Sequence, residues 1–200
     1  MKKLLLGFIS LILVGQVGFS QPVSDQAIIP MAITVNSILR LNIVSGGNIE
    51  FVFNSIDAVT NGIANSTAYD TRFTVASTTN WTLDFGTDLA AFTNDAGGTI
   101  NLNLVAVQVN DDGTTCISGG RCTVNAAYDG TAAAWGDLVQ ATTNLIGNGT
   151  GNVGTTTDNA FVIHWECGTG NASSQFIPTG AVAATPGRYT ANVFLSLTAL

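Results

Sequence analysis

Alternation of apolar and polar residues is the feature that most constrains how this chain can fold. In MAITVNSILRLNI, residues 31–43, six of the seven odd-numbered positions are apolar, and the even-numbered positions include polar side chains such as Asn36 and Arg40. Side chains two apart along a strand lie on the same face of a sheet. This segment therefore predicts one long, half-buried strand or two strands in the same phase.

The same alternation returns along the rest of the chain, in residues 48–54, 69–76, 80–86, 161–167 and 188–200. In residues 100–109 the apolar phase shifts by one position, which predicts a β-bulge or a sharp bend. The Gly- and Asn-rich stretches 146–159 and 168–187 predict loops, and 131–146 is ambiguous between a helical turn and a weak strand. About nine strands without a convincing amphipathic helix predict an all-β sandwich with mostly antiparallel strands.

The first twenty residues have the pattern of a secretory signal peptide. Two lysines precede an apolar run over residues 4–17, and Gly18 and Ser20 place small residues before a cleavage site at Gln21. A membrane anchor is the alternative, but the run is short for a membrane span and no basic stop-transfer segment follows it. We therefore expect a mature chain that is secreted to the exterior or cell surface of a bacterium and has no transmembrane span.

Charge narrows the classes of partner that this chain can have. After residue 20 there is no lysine, and four arginines face 13 acidic side chains. Nucleic-acid binding needs clustered basic residues, so this composition excludes that class. Thr, Asn, Ser and Gly must supply most of the surface, which is typical of an extracellular β-protein. We expect an N-terminal extended strand over residues 21–36 and one β-sandwich domain over 37–200.

The three cysteines predict one local disulfide. Cys116 and Cys122 are separated by ISGGR, a flexible loop that a disulfide can close. Export to an oxidising compartment favours such a bond. Cys167 is then the unpaired cysteine, although a bridge from Cys167 to either of the other two is an alternative that the spacing leaves open.

The segment NAFVIHWECGTG, residues 159–170, contains the single histidine of the chain, His164, three positions before Cys167. A zinc site of the Cys3His type has enough ligands if Cys116 and Cys122 join them. In a regular strand, however, His164 and Cys167 point to opposite faces, so the geometry disfavours a shared metal. We expect a core cysteine and an exposed histidine beside Glu166.

Catalytic arrangements are missing from the sequence. A nucleophilic triad would need His164 as its base, and no G-x-S-x-G nucleophile motif occurs. The acidic residues fall mostly at strand ends and turns, where no pair has a recognisable catalytic setting. We therefore expect a protein that is not an enzyme.

Two short polar stretches are candidate calcium sites. Asp111–Asp112–Gly113 and Asn94–Asp95 are first of all turn-forming sequences. Carboxylate and amide oxygens in loops are also the ligands that calcium prefers. A loop calcium ion is therefore a candidate ligand, and we expect no other cofactor.

Both ends of the mature chain carry alternating segments, residues 31–43 and 188–200. An exposed strand of this kind is a template for adding to the sheet of a neighbouring molecule. The alternative is that both strands pair inside their own domain, as they do in most sandwiches.

The chain resembles the secreted β-sandwich subunits of bacterial surface fibres, namely pilins of the chaperone–usher type and their spore-coat-like relatives. The resemblance rests on the signal peptide, the low-charge composition, the start AIIPMAITVNSILRLNI and the end GRYTANVFLSLTAL. Gly187 stands at the place of a glycine fourteen residues from the end that such pilins usually carry. Ala199 replaces their usual penultimate tyrosine, and no cysteine precedes Cys116 to form their early disulfide.

This resemblance implies an incomplete, immunoglobulin-like β-sandwich of about nine strands. In such proteins the N-terminal segment of one subunit fills the groove of the next. It implies that residues 21–36 contain a donor strand whose inserted side chains are those of Ile28, Met31, Ile33 and Val35. The implied function is an exported structural subunit of a surface filament or coat, with other copies of itself and a secretion chaperone as partners.

A secreted adhesive or carbohydrate-binding module is the alternative function. Such a module presents exposed aromatic side chains to its ligand. Trp135 is the best candidate, because Trp81 and Trp165 lie on the apolar faces of their strands.

Overall fold

The computed structural model describes residues 29–176 and 185–200, so the predicted signal peptide and Ile28 lie outside the described residues. Residues 36–200 form one compact unit, and residues 29–35 belong to a separate N-terminal unit. No helix or strand is assigned to residues 29–35. Their four large apolar side chains are exposed, with 79% to 86% of the surface accessible: Ile29, Met31, Ile33 and Val35.

Strands dominate the described residues. In chain order they are β1 (Leu39–Ser45), β2 (Asp70–Ser77), β3 (Trp81–Thr87), β4 (Ala91–Thr93), β5 (Thr99–Asn101), β6 (Val105–Asp111), β7 (Cys122–Val124), β8 (Gly136–Asp137), β9 (Thr143–Asn148), β10 (Ala160–Cys167) and β11 (Val193–Ala199). One short α-helix, Ile56–Asn61, and three 3-10 turns, Thr67–Tyr69, Leu102–Leu104 and Gly130–Ala132, complete the regular structure. No helix in this part of the chain is long and apolar enough to cross a membrane.

The strands form two main sheets. One has the order β1-β2-β10-β6-β8, the other has the order β11-β3-β9-β7, and β4 with β5 makes a separate two-stranded sheet. Every strand pairs antiparallel with its neighbours. The prediction of an all-β, antiparallel sandwich is therefore confirmed. The described residues contain eleven strands, and four of these span only two or three residues.

The core lies between the two sheets, as the alternation predicted. Phe73 on β2, Trp81 and Phe85 on β3, and Phe161 and Ile163 on β10 are completely buried. Burying one side chain of this size contributes about 1.5–3 kcal/mol to the free energy of folding. The Phe73 and Phe161 rings stack with centroids 5.3 Å apart, and Trp81 meets Phe161 edge-on at 6.0 Å.

A buried asparagine anchors the loop between β9 and β10 to this core. The Asn152 side chain accepts a hydrogen bond from the Trp81 backbone N–H at 3.0 Å and donates one to the Trp81 carbonyl at 2.8 Å. The Trp81 indole donates to the Asn152 carbonyl at 2.8 Å. Because buried polar groups are costly without partners, this exchange explains how a fully buried asparagine fits an apolar core.

The predicted boundaries need two corrections, and a third prediction is resolved between its alternatives. The strand expected over residues 31–43 begins only at Leu39, and residues 31–38 belong to no strand. The phase shift in residues 100–109 comes from the 3-10 turn Leu102–Leu104 between β5 and β6, which is the predicted sharp bend and not the alternative β-bulge. Strand β9 continues to Asn148, into a stretch that the glycine content predicted to be a loop.

The ambiguous stretch 131–146 contains both predicted kinds of structure. It opens on the end of the Gly130–Ala132 turn and continues into the two-residue strand β8. A local pattern this weak cannot decide the outcome, because β8 exists only through its pairing with β6.

Candidate functional site

The interior of the sandwich is only partly closed along the edge formed by β1 and β11, which are the edge strands of the two sheets. Their Cα atoms approach within 8 Å in places, and some apolar side chains beside this approach stay accessible. Side chains that point inward from β2 and β3 are completely buried, whereas Leu41 on β1 and Leu195 on β11 are only partly buried. The next side chains on the same faces, two residues away along each strand, are Ile43 and Val193, and they are 43% and 39% exposed. The described residues therefore leave these two apolar side chains partly uncovered at this edge.

An apolar groove of two adjoining parts runs along this edge. The smaller part, about 420 Å³, is lined by side chains of both edge strands and by Ile163 and Trp165 of the core. The larger part, about 1130 Å³, lies between residues 48–53 and residues 185–192. Both parts share the side chains of Ile49, Phe51 and Phe92 in their walls, so the groove is continuous.

One wall of the groove is a segment that we call the strap, residues 48–54. The chain enters it through Gly46, which has a φ of +69°. A Cβ atom on Gly46 would lie 1.9 Å from the Asp70 carbonyl oxygen, so only glycine fits. Within the strap, burial alternates at every residue. Phe51 stacks on Tyr69 with ring centroids 4.6 Å apart, and Phe53 packs against Phe176 at 4.7 Å.

The strap has the side-chain pattern of a strand but pairs with no strand in the part of the chain that the structure describes. It was predicted as a strand from the alternation of Ile49, Phe51 and Phe53, and those three side chains do face the core. Within the described ranges, however, no hydrogen bond reaches the backbone of residues 48–54. The prediction of a strand here is wrong because the neighbouring strand it needs is not supplied by the described residues.

The opposite wall, residues 185–192, is fixed at two points. Thr190 exchanges two backbone hydrogen bonds with Thr93, at 2.9 and 3.1 Å. Asn192 donates to the Asp88 carboxylate from its side chain at 2.6 Å and from its backbone at 2.8 Å. These bonds hold the pKa of Asp88 below its ordinary value. Between the two walls, Arg188 forms an exposed ion pair with Glu50, at 3.2 Å.

Three of the four residues proposed for strand donation lie within the described residues. Met31, Ile33 and Val35 are exposed, and Ile29 shares their phase and their exposure. The fourth candidate, Ile28, lies outside the described residues and is one residue out of that phase. The row of apolar side chains in the described part of this segment is therefore Ile29, Met31, Ile33 and Val35.

His164 lies on the outer face of its sheet, as the alternation of β10 predicted, but its surroundings differ from the expectation. It is half-buried rather than exposed, and its Nδ1 atom is 2.6 Å from Oδ1 of Asp70, its cross-strand neighbour on β2. Glu166 is buried and accepts hydrogen bonds from the Asn65 backbone, at 3.2 Å, and from Thr169 and Asn171, both at 2.8 Å. Asn65 joins the two contacts in one polar network, because its side chain also donates to Oδ1 of Asp70 at 3.1 Å.

The cysteines lie on the inner side of the fold. A disulfide joins Cys116 to Cys122, and Cys167 is a free, buried thiol. Burial raises the pKa of Cys167 to about 12. A thiol with this pKa is protonated at neutral pH and is therefore a poor nucleophile and metal ligand. Its position beside Ile163 and Trp165 on the inward face of β10 is that of a packing residue.

The two candidate calcium stretches have protein partners for most of their oxygens. Asp111 accepts hydrogen bonds from the backbone of Ile117 and Ser118, each at 2.9 Å. Asp112 pairs with Arg72, and this hydrogen-bonded contact raises the pKa of the arginine. Asn94 accepts from the backbone of its own turn. No group of three or more metal-binding side chains occurs in the described ranges. Loop calcium stays a prediction.

Trp135, the candidate aromatic contact of a binding module, is half-buried. Trp81 and Trp165 are in the core, as expected from their strand faces. Neither comparison with models of known protein families nor comparison with curated proteins finds a match. Function is therefore inferred from the groove, where apolar side chains such as Ile49, Phe51 and Phe92 remain partly accessible beside the two sheet edges.

Proposed function

We propose that this protein is an exported structural subunit of a bacterial surface filament or coat, and that its subunits assemble by strand addition. The observation that supports this most is the partly closed edge formed by β1 and β11. There the inward-facing side chains of Ile43 and Val193 remain accessible along a groove. A groove of this shape accepts an extended segment with apolar side chains on one face.

The proposed occupant is the donor segment, residues 29–35, of a second copy. Ile29, Met31, Ile33 and Val35 occur at every second position, so in an extended conformation they lie about 6.6 Å apart on one face. All four are exposed in the described structure. An exposed row of large apolar side chains is typical of an interaction site. The segment contains no charged residue, which suits an apolar groove.

The free energies of burial and association indicate which contacts must contribute to assembly. Full burial of the four donor side chains supplies about 6–12 kcal/mol, at about 1.5–3 kcal/mol each. Association costs about 4–15 kcal/mol in lost translational and rotational freedom. The donor side chains alone therefore roughly offset that cost. A stable filament also needs the apolar side chains of the groove, such as Ile43 and Val193, and new backbone hydrogen bonds.

This contact joins two different surfaces, the donor segment of one copy and the groove of another. A head-to-tail contact does not close on itself unless the rotation between copies forms a ring, so it generates filaments. The proposed partner is thus the chain itself. Because an open apolar groove is prone to wrong contacts before assembly, a secretion chaperone that covers it is a second proposed partner.

Electron microscopy of the purified chain from residue 21 onward tests the proposal. Strand addition predicts filaments whose amount rises with protein concentration. A chain without residues 21–36 should remain folded, since the compact unit begins at Asn36, and should form no filaments. Filaments that persist after this deletion, or monomers alone at high concentration of the undeleted chain, would contradict the proposal.

A further inference from the structure

Among the described residues, the strap has no backbone partner beside the apolar groove. We propose that the strap, residues 48–54, is the edge to which the donor segment of a second copy binds, and that it becomes a paired β-strand on assembly. This inference rests on the proposed function and names the acceptor surface for it. It assigns a role to a segment that already packs like a strand but forms no backbone hydrogen bond within the described residues.

The strap differs from both neighbouring edge strands in its backbone pairing. Each edge strand, β1 and β11, already uses one side of its backbone for pairing with β2 or β3, whereas the strap uses neither side for a described partner. The inward side chains of Phe51 and Phe53 already pack against Tyr69 and Phe176. Pairing of the strap therefore requires only its free backbone groups and leaves its core contacts in place.

The dimensions and the alternation of the two segments match. The strap and the donor segment are seven residues each; burial alternates along the strap, and large apolar side chains occupy every second position of the donor, where Pro30 has no backbone N–H to donate. Seven paired residues span about 23 Å at about 3.3 Å per residue. The larger part of the groove runs along the strap, so a strand paired there directs one row of side chains toward apolar floor residues such as Phe92 and Ile100.

Charge at the mouth of the groove favours an uncharged partner. Glu50 on the strap and Arg188 on the opposite wall pair with each other, and the two side chains remain about half or more exposed. A strand that enters between the two walls separates this pair, which costs little because an exposed ion pair contributes little to stability, and a donor segment without charged residues adds no unpaired charge near the apolar floor. The partner that fits this surface is thus an uncharged strand with large apolar side chains at alternate positions, which describes residues 29–35.

Amide hydrogen exchange with a synthetic peptide of residues 27–37 tests this assignment. The acceptor is the mature chain, labelled with ¹⁵N and carrying Ile33→Asp, which disables its own donor segment while changing only an exposed side chain. Two control peptides carry the same charge at adjacent positions, one as Ile33→Asp and one as Thr34→Asp. We expect the unchanged and Thr34→Asp peptides to bind, and the Ile33→Asp peptide to bind at least about tenfold more weakly.

Exchange at individual amides identifies the edge that pairs. We expect fast exchange across the strap in the free protein, and about tenfold or greater slowing at every second strap amide once the peptide binds. If the peptide binds but protects β1 or β11 instead, or if the strap amides exchange slowly before binding, the strap assignment is wrong while strand addition stands. If no peptide binds, both the strap assignment and the proposed function are overturned.

Discussion

Replacing Ile33 by alanine should weaken assembly without changing the stability of the folded domain. Ile33 is 86% exposed and belongs to the N-terminal unit that precedes Asn36. The Ile33→Ala variant should therefore unfold at the same temperature as the original chain when both are monomeric. Any effect on assembly then reports on the contact between subunits.

The size of the effect follows from the apolar surface that assembly buries. Replacing isoleucine by alanine removes most of a side chain whose burial is worth about 1.5–3 kcal/mol, so a loss of about 2 kcal/mol per contact is expected. Since about 1.4 kcal/mol corresponds to a factor of ten, the critical concentration for filament formation should rise roughly 30-fold. Thr34→Ala, on the opposite face of the same segment, should change it less than about twofold.

Sedimentation of filaments over a range of protein concentrations measures this critical concentration. Calorimetry of the dilute monomers supplies the control for folding. Equal critical concentrations for Ile33→Ala and Thr34→Ala would refute the reasoning, because strand insertion requires the two faces of the donor segment to differ. A lowered melting temperature for Ile33→Ala would also refute it, by placing Ile33 inside its own domain.

Three further predictions concern the folded domain itself. Gly46→Ala should lower the melting temperature severely, because the added Cβ would overlap the Asp70 carbonyl. Gly97 is the matched control: it has a similar φ of +79° with open space around it, so Gly97→Ala should lower the free energy of unfolding by only about 1 kcal/mol. Asn152→Ala should destabilise by about 2–5 kcal/mol in chemical denaturation, since the buried Trp81 backbone loses both partners; an unchanged midpoint would contradict this. The pKa of Asp88 is lowered, so this carboxylate stabilises the fold above its ordinary pKa of 3.8, and the stabilisation is lost as the pH falls below that value. In thermal melts from pH 5 to pH 2, the melting temperature of Asp88→Asn should therefore depend less on pH than that of the original chain. Identical slopes would count against the bonds to Asn192.

The strand faces were predictable because they depend only on local alternation. Phe73, Trp81 and Phe161 lie inward as the period of two required, since an apolar row on a strand has to face the core. The same pattern could not reveal that the strap pairs with no other strand among the described residues. Alternation shows which side of a segment faces the core, and it carries no information about whether another strand lies beside it.

Contacts between distant residues could not be predicted from the sequence, because they depend on strand register. His164 meets Asp70 only because β10 pairs with β2 in one particular alignment. Asn152 was part of a stretch predicted as a loop on its glycine and asparagine content, and nothing in that stretch indicates that its side chain binds the Trp81 backbone. The glycine pair Gly46–Gly47 is the local sequence pattern that marks the end of β1 at Ser45.

The structure of an assembled filament, determined by cryo-electron microscopy, tests strand addition most directly. We predict that residues 29–35 of one copy lie in the groove of the next, between the strap and residues 185–192, with Ile33 directed toward the apolar floor. Filaments in which residues 29–35 contact only their own subunit or solvent would contradict this, as would filaments in which the groove remains open.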